Sequence, residues 1–292
     1  MTNSNQTVLI AVDLEDKTLP RLERSYPNLT HLAGKVILLY VIEKHQIDSV
    51  SEEEKSRLIK EKNEQLALFA SNIEKNTNIP VMPVLQTGQP AEEILKAATS
   101  YGVDLIAMST HTHIEDDYPE KNELGATVKK VIHQSVKPVF TFNSNVQLKK
   151  IRKILLPLDL TAETRQKVTN AIDIAHNLHA SIHIVAVFTS SYEEIRNQLE
   201  EQMVLARNFI EEAKIPVTTK LITSEKGNRH VAFRILEYAD EINADLIMIM
   251  TQQETRLEQF FMGSAAQTIL RFAKVPVMSI IPKDLSTVIL GA

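Results

Sequence analysis

The chain has 292 residues, of which 43% are hydrophobic and 24% charged, a composition typical of a globular protein, and its length suggests two domains. Its net charge of −5 disfavours nonspecific binding to nucleic acid, which needs an excess of lysine and arginine. The chain has no cysteine, which excludes disulfides, thiolate metal sites and cysteine nucleophiles.

The first apolar run, Val8–Val12, predicts a short buried strand. The residues before it carry no basic leader, and the run is too short for a signal peptide. No window reaches the roughly 18 apolar residues that a membrane span needs. We therefore expect a cytoplasmic protein that does not enter a membrane.

This strand opens a pattern that the chain repeats. The apolar run before Asp13 is matched by an apolar run before Asp159. Further along, VDLIAMST in the first half is matched by ADLIMIMT in the second, and LGATVKKVIHQSVKPVF is matched by MGSAAQTILRFAKVPVM. Each pair is separated by about 140 residues, the signature of a duplicated domain. We predict one domain over residues 1–148 and a second over 149–292. The basic stretch KKIRK, 149–153, is interpreted as a solvated linker leading into a strand rather than an anion-binding patch.

Both halves show the same alternation of apolar strands and periodic helices. In the second half, apolar residues from Val168 to Leu178 recur at helical spacing, whereas Pro20 and Pro27 predict a broken helix at the same place in the first half. Ser51 and Ser191 are each followed three residues later by glutamate, which predicts a capping box at the start of each long helix.

Strands that alternate with helices indicate a parallel α/β sheet with right-handed crossovers. In such sheets ligands bind beyond the carboxyl ends of the strands, where the strand order reverses. Asp13 and Asp159 follow the first strands, and Thr110 and Thr251 follow the fourth strands. These four positions are the first candidates for a binding site, although a strand-end aspartate can equally close a turn.

Taken in order and in both halves, these stretches resemble the universal stress protein family. The resemblance depends on the strand-end aspartates, the repeated DLI strand, a glycine and a small residue at a helix start, and Pro-Val opening the last strand. The last two features stand at Gly125-Ala126, Gly263-Ser264, Pro138-Val139 and Pro276-Val277.

The resemblance covers nearly all of both halves and implies two flavodoxin-like, Rossmann-like domains of the adenine nucleotide alpha hydrolase-like type. Each domain would be a five-stranded parallel sheet of order 3-2-1-4-5 with helices on both faces, and the two would form an intramolecular pseudo-dimer. In this order the fifth strands, PVFTF and PVMSII, are apolar sheet edges with unpaired backbone groups. We expect them to pair with each other, domain 1 with domain 2. The apolar tail, 284–292, suggests a possible homodimer, and the protein partner is unknown.

Some family members bind ATP through a glycine, two residues, a second glycine, nine residues and then Gly-Ser or Gly-Thr. Glycines let the backbone approach phosphate, and the helix start attracts its charge. In the second half Thr251 and Glu254 occupy the first two glycine positions and only Gly263-Ser264 remains.

The resemblance therefore implies a degenerate nucleotide site in domain 2, which could take ATP or AMP. Its candidate residues are Asp159, Val187, Thr251, Gly263 and Ser264. In the first half, Thr110 and His113 replace the glycines and the following loop is acidic, so we expect no ATP binding there.

The loop histidines His111 and His113, followed by Asp116 and Asp117, are residue types that bind zinc. A charged solvent-exposed loop explains the same four residues, and His176 and His179 are explained in a similar way by a helix surface. We predict no metal and no catalytic residue.

The predicted function is a stress-response binding and interaction module that is not an enzyme and needs no cofactor. The alternative is an ATP- or AMP-binding sensor, or a weak ATP hydrolase, that uses the second half. An electron-transfer flavoprotein-like nucleotide module is a more remote alternative. The repeat and the two Pro-Val strands disfavour it.

Overall fold

The computed structural model of the chain describes residues 6–15, 28, 32–110, 124–143, 148–160, 164–224, 230–251 and 264–281. The first half contains β1 Thr7–Ala11, β2 Lys35–Glu43, α1 Lys44–Ile47, α2 Glu52–Thr77, β3 Val81–Gly88, α3 Pro90–Ser100, β4 Leu105–Ser109, α4 Ala126–Gln134 and β5 Val139–Phe142. The second contains β6 Lys153–Leu158, α5 Thr164–Leu178, β7 Ser181–Phe188, α6 Glu193–Glu212, β8 Val217–Thr223, α7 Val231–Glu241, β9 Leu246–Met250, α8 Ser264–Phe272 and β10 Val277–Ile280. The broken helix predicted around Pro20 and Pro27 lies outside the described residues.

All ten strands join one sheet, in the order β3-β2-β1-β4-β5-β10-β9-β6-β7-β8. Within each half the neighbouring strands are parallel. Each half, counted from its outer edge, has the order 3-2-1-4-5. This is the doubly wound arrangement in which the strand order reverses beside the first strand.

The two halves meet where β5 pairs with β10. This contact is antiparallel, with Phe140 opposite Met278, and the Thr141 hydroxyl donates a hydrogen bond of 3.1 Å to the Val277 carbonyl. Each fifth strand thus covers the edge of the other. Because the junction is antiparallel while each half is parallel, the carboxyl ends of the strands in the two halves lie at opposite edges of the sheet.

The aspartate of each repeated DLI stretch fastens two strands at their starts. Asp104 accepts a hydrogen bond of 2.9 Å from the Thr7 amide, and its own amide donates to the Thr7 carbonyl. Asp245 accepts bonds of 2.9 Å from the amides of both Arg152 and Lys153. The repeat therefore preserves a contact that sets the register of the first strand against the fourth.

Apolar side chains fill both faces of the sheet. Helices α2, α5 and α6 pack on one face and α3, α4, α7 and α8 on the other. The segment between the halves joins the first layer through Leu148 and Ile151, which are buried. The Asn28 side-chain amide donates a hydrogen bond of 2.7 Å to the Leu148 carbonyl, which fixes this segment against the first half.

The two predicted capping boxes have different outcomes. Ser51 caps α2: its hydroxyl accepts from the Glu54 amide at 3.2 Å, and the Glu54 carboxylate accepts from the Ser51 amide at 3.1 Å. The box predicted at Ser191 is wrong, because α6 has Tyr192 as its N-cap residue. The hydroxyl of the preceding Ser190 accepts from the Tyr192 amide at 3.0 Å, which favours a local turn over the cap.

Candidate functional site

A cavity of about 370 Å³ opens at the carboxyl ends of β1, β2 and β4, beside the first turn of α4. The strand order reverses here, which is where ligands bind in open α/β sheets. Small-molecule sites typically measure about 300–1,000 Å³, so the cavity has room for a compact ligand. Its polar lining includes Asp13, Glu15, Tyr40, Glu43, His45 and Thr127.

Asp13 closes the turn that follows β1. Its Oδ1 accepts a hydrogen bond of 2.9 Å from the amide of Glu15, two residues on. An aspartate that bonds backbone two residues later stabilises a turn without help from a ligand. The side chain is half-buried and also lines the cavity, so the structural and the binding interpretations apply to the same residue.

Glu15 forms an ion pair with Lys62, which reaches it from α2. The side chain of Lys62 is 10% exposed, and its ammonium lies also 3.4 Å from the Gln65 side-chain oxygen. A buried ammonium needs such partners because it has lost its hydration. The pair therefore fixes the long helix against the turn after β1, at the border of the cavity.

Tyr40 is the most buried titratable residue of the lining, with 4% of its surface exposed. Among the residues that the structure describes, none forms a hydrogen bond with its hydroxyl. Burial raises the pKa of Tyr40 well above its ordinary value, and the charges of Asp13, Glu15 and Glu43 raise it further. The phenol is therefore neutral at physiological pH and can both donate and accept a hydrogen bond.

Glu43 and His45 form the outer border of the cavity. Glu43 caps the short helix α1, and its amide donates a hydrogen bond of 3.1 Å to the side-chain oxygen of Gln46. Its carboxylate lies 3.3 Å from Nδ1 of His45. Both side chains are exposed to solvent.

Thr110, in a glycine position of the implied signature, joins the ends of β4 and β5. Its amide donates to the Phe142 carbonyl at 2.9 Å, and its hydroxyl lies 3.4 Å from the same oxygen. A Cβ atom placed on Gly125 would lie 3.7 Å from the Thr110 carbonyl oxygen, which is an ordinary contact. The protein itself therefore does not require glycine at residue 125.

In the second half, Asp159 is held by α5. The buried ammonium of Lys167 lies 3.4 Å from the Asp159 carboxylate and 3.3 Å from the Pro157 carbonyl oxygen. The Thr164 hydroxyl donates a hydrogen bond of 3.0 Å to the backbone carbonyl of Asp159. This strand-end aspartate thus has a cation beside it that belongs to the same half.

The other candidates of the second half lie at the same edge of the sheet. Val187 is half-buried near the end of β7, Thr251 directly follows β9, and Ser264 is the first residue of α8. The Thr251 amide donates to the Ile280 carbonyl at 2.9 Å and its hydroxyl lies 3.5 Å from that oxygen, as with Thr110. Gly263 lies outside the described residues. The role of these residues in binding a nucleotide stays a prediction.

Sequence reasoning missed Tyr40 and Lys62. Both differ from the equivalent residue of the other half: by strand register Tyr40 corresponds to Ala186, and by helical spacing Lys62 corresponds to Leu199. A lysine in the apolar period of α2 signals a buried ion pair, and a tyrosine in place of alanine at a strand end signals a changed pocket. Comparing the repeats residue by residue would have found both.

The histidines that suggested a metal give no site within the described part of the chain. No group of three or more histidine, aspartate or glutamate side chains there could hold a metal ion, and His111, His113, Asp116 and Asp117 lie outside it. His179 ends α5 with a positive φ of 54°, and its Nδ1 lies 3.0 Å from the carbonyl oxygen of residue 176.

The helices of the described residues include none long and apolar enough to cross a membrane.

Comparison with known proteins identifies this fold and its duplication. The profile of the universal stress protein family matches residues 4–142 and again 150–280. A universal stress protein of Methanocaldococcus jannaschii is 26% identical over 141 residues, which cover 44% of this chain and 80% of that protein. One from Methanothermobacter thermautotrophicus is 30% identical over 106 residues, which cover 34% of this chain and 70% of that protein.

The likeness extends over the whole fold. The crystal structure of a universal stress protein from Archaeoglobus fulgidus is similar with a TM-score of 0.75 and 20% sequence identity, covering 96% of this chain and 98% of that one. At this identity the similarity concerns the fold alone. Together with the two matches of the family profile, it shows that the chain belongs to the universal stress protein family and carries the family's domain twice.

Proposed function

We propose that this tandem universal stress protein is a cytoplasmic binding and interaction module, not an enzyme, and that it takes a small molecule in the first-half cavity. The observation that carries the proposal is the cavity of about 370 Å³ at the reversal of strand order. Its position, size and mixed polar and apolar lining are those of a ligand site.

The carboxylates that line the cavity each stabilise part of the fold, which supports a role in binding rather than in catalysis. Asp13 closes a turn, Glu15 balances the charge of a buried lysine, and Glu43 caps a helix. A general acid or base has to exchange its proton with a substrate. Carboxylates that hold turns, helices and ion pairs together are poorly placed for that exchange.

We further propose that the nucleotide site is degenerate in both halves. The strand-end threonines, Thr110 and Thr251, use their amides and hydroxyls to join the fourth strand to the fifth. These groups are then less available to phosphate oxygens. Within the described part of the first-half lining, no lysine or arginine contributes a positive charge. Both observations favour a ligand without a triphosphate.

Native mass spectrometry of the protein purified from its own cells, combined with ligand-observed NMR on a fragment mixture, tests the proposal. Ala126 is exposed at the cavity wall, so Ala126→Trp should fill the cavity without disturbing the core. We expect the variant to lose the ligands of the wild-type protein. The matched control is Ser264→Trp, at the equivalent helix start of the second half, which should keep them. Equal binding by wild type and Ala126→Trp would overturn the proposal.

A second candidate function is an ATP- or AMP-binding sensor, or a weak ATP hydrolase, in the second half. The buried cation of Lys167 favours it, because this ammonium lies at the same sheet edge as Thr251 and the start of α8. If AMP or ATP binds to Ala126→Trp but not to Ser264→Trp or Lys167→Met, this candidate replaces the first.

The interaction part of the proposal concerns an unidentified protein and a second copy of the chain. Light scattering after size-exclusion chromatography measures the homodimer directly. Truncation after residue 283 tests whether the apolar tail contributes to it. An unchanged oligomeric state in the truncated chain would exclude the tail from any such contact.

A further inference from the structure

The outer strand of the second half, β8, leaves a row of backbone groups without a partner strand. The Ile182 amide of β7 donates a hydrogen bond of 2.9 Å to the Pro216 carbonyl, so the even-numbered residues of β8 bond to β7. The backbone groups that point away from the sheet belong to the odd-numbered residues, Val217, Thr219, Leu221 and Thr223. Among the described strands, none pairs with this side of β8. Such an edge can pair with a strand of another chain.

The matching edge of the first half, on β3, is blocked by a proline. The Val36 amide donates a hydrogen bond of 2.9 Å to the Pro80 carbonyl, so Pro83 is one of the residues that point away from β2. Proline has no amide hydrogen to donate, and it is a common protection of sheet edges. By strand register Pro83 corresponds to Thr219, so the second half lacks the protection that the first half has.

The junction between the halves shows how edges of this fold pair. There β5 and β10 are antiparallel, with Phe140 opposite Met278, which are equivalent residues of the two repeats. Two identical strands can form the same arrangement only about a two-fold axis, which is the commonest symmetry of protein dimers. An antiparallel contact between the β8 strands of two copies therefore repeats a contact that the chain already makes.

The charge of Lys220 selects the register of that contact. Pairing about Lys220 would place two ammonium groups opposite each other, which is unfavourable. Pairing about Thr219 instead places Lys220 opposite Thr218 of the second copy. These residues form a non-hydrogen-bonded pair, in which side chains lie closest together.

A carboxylate lies close to that position. Thr218 forms a side-chain hydrogen bond with Tyr238 of α7. Burial raises the pKa of Tyr238, and the nearby Glu241 carboxylate raises it further. Lys220 and Glu241 are both exposed, and neither forms an ion pair within the part of the chain that the structure describes. In the register about Thr219 each lysine lies next to the other copy's glutamate, so the surface is complementary to itself.

We propose that β8 is the contact surface for a second copy of the chain, antiparallel about Thr219, with Lys220 of each copy paired with Glu241 of the other. This inference deepens the interaction part of the proposed function and rests on it, because it names the surface through which the homodimer forms. The two ten-stranded sheets would then continue into each other.

Light scattering after size-exclusion chromatography of the full chain tests the contact. We expect a dimer whose fraction rises with protein concentration, and a monomer for Thr219→Pro, because proline removes both hydrogen bonds that the central residues exchange. Pro83 shows that the equivalent strand position accepts proline. Thr87→Pro, at an outward-facing residue of β3, is the matched control and should leave the dimer intact. Circular dichroism checks that both variants fold.

A charge exchange tests the partner and the register. Lys220→Glu should raise the dissociation constant of the dimer about tenfold, because two attractive pairs become repulsive. Combining it with Glu241→Lys should restore the wild-type value. Recovery in the double variant identifies a second copy as the partner, since a different partner would keep its own charges. A double variant as weak as Lys220→Glu would overturn the pairing.

The outcomes separate this inference from the proposed function. If the chain is a dimer that both Thr219→Pro and Lys220→Glu leave intact, the β8 contact fails and the homodimer stands. If truncation after residue 283 abolishes the dimer while Thr219→Pro does not, the tail is the contact and the inference also fails. If the wild type is a monomer at every concentration, the homodimer fails with it, whereas ligand binding in the first-half cavity is decided separately by Ala126→Trp.

Discussion

The two halves of the sheet each place a buried lysine beside a strand-end carboxylate, and they do so by different routes. In the first half Lys62 comes from α2 and pairs with Glu15, whereas in the second Lys167 comes from α5 and pairs with Asp159. The two lysines do not occupy equivalent positions, since Leu199 stands where the repeat would place Lys62. The duplicated halves have therefore diverged in charge at the edge where a ligand would bind.

The scaffold beneath that edge has diverged much less. Asp104 and Asp245 each accept a hydrogen bond from the amide of the first residue of the first strand, and Thr110 and Thr251 make the same contact at the strand ends. Contacts that fix register are shared by the halves, while contacts that face a cavity are not. The comparison indicates one fold that supports two different surface chemistries, and the following variants test it from the largest expected effect to the smallest.

The junction is the feature on which both halves depend equally. Phe140 is fully buried opposite Met278, and Phe140→Ala should lower the free energy of unfolding by about 4 kcal/mol through the cavity that it leaves. Met278→Ala should cost about 3 kcal/mol for the same reason. Urea denaturation followed by circular dichroism measures both. Unchanged midpoints would show that the strands do not pair in solution.

The strand-start aspartates should differ between the halves. Asp245 accepts two backbone hydrogen bonds and Asp104 accepts one, so alanine substitution should cost about 2 kcal/mol at Asp245 and about 1 kcal/mol at Asp104. Asparagine at either position retains an acceptor oxygen and serves as the control. If both alanine variants lost the same free energy of unfolding, the different numbers of hydrogen bonds to Asp104 and Asp245 would not determine their stability.

The capping residues give a smaller difference. Ser51→Ala should lower the free energy of unfolding by about 1 kcal/mol, because the hydroxyl that accepts from the Glu54 amide and donates to the Glu54 carboxylate is lost. Ser191→Ala should have no measurable effect, since α6 begins after Tyr192 without using that side chain. If Ser191→Ala lowered the free energy of unfolding as much as Ser51→Ala, Ser191 would cap its helix as the sequence predicts.

The smallest expected effect depends on pH. Burial, with a smaller contribution from Lys153, lowers the pKa of His183 below its ordinary value of 6.5. The unfolded chain therefore takes up this proton more readily, so the stability is complete above pH 6.5 and decreases as the pH falls below it. The first-half equivalent is Ile37, which does not titrate, and His183→Ile should flatten this dependence.

Urea midpoints measured between pH 7.5 and pH 5 in wild type and His183→Ile check this expectation. Burial also lowers the pKa of His133, so part of the pH dependence should persist in the variant. Identical slopes in the two proteins would exclude His183 as a contributor.

The sequence was sufficient to predict the fold because its signals are local and occur twice. Apolar runs, helical periods and strand-end aspartates each predicted an element that the structure contains, and the family assignment is confirmed by two matches of the profile. The predicted cap at Ser191 failed because the neighbouring Ser190 hydroxyl offers the backbone a competing turn. Helix ends depend on such local competition more than helix interiors do.

The site was less predictable because its contacts are long-range. Glu15 and Lys62 are 47 residues apart, and no local pattern joins the turn after β1 to the middle of α2. Tyr40 was overlooked because a tyrosine in a strand usually belongs to the core, and its position at the cavity depends on where β2 ends. Whether the second-half candidates bind a nucleotide is not decided by fold, since a fold supports many functions.

The antiparallel pairing of β5 with β10 has a consequence for how the molecule meets others. Since it turns the carboxyl-end edge of each half in the opposite direction, the first-half cavity and the second-half candidate residues lie on opposite sides of one continuous sheet. A molecule that contacts one of these edges therefore approaches the sheet from the side opposite to a molecule that contacts the other.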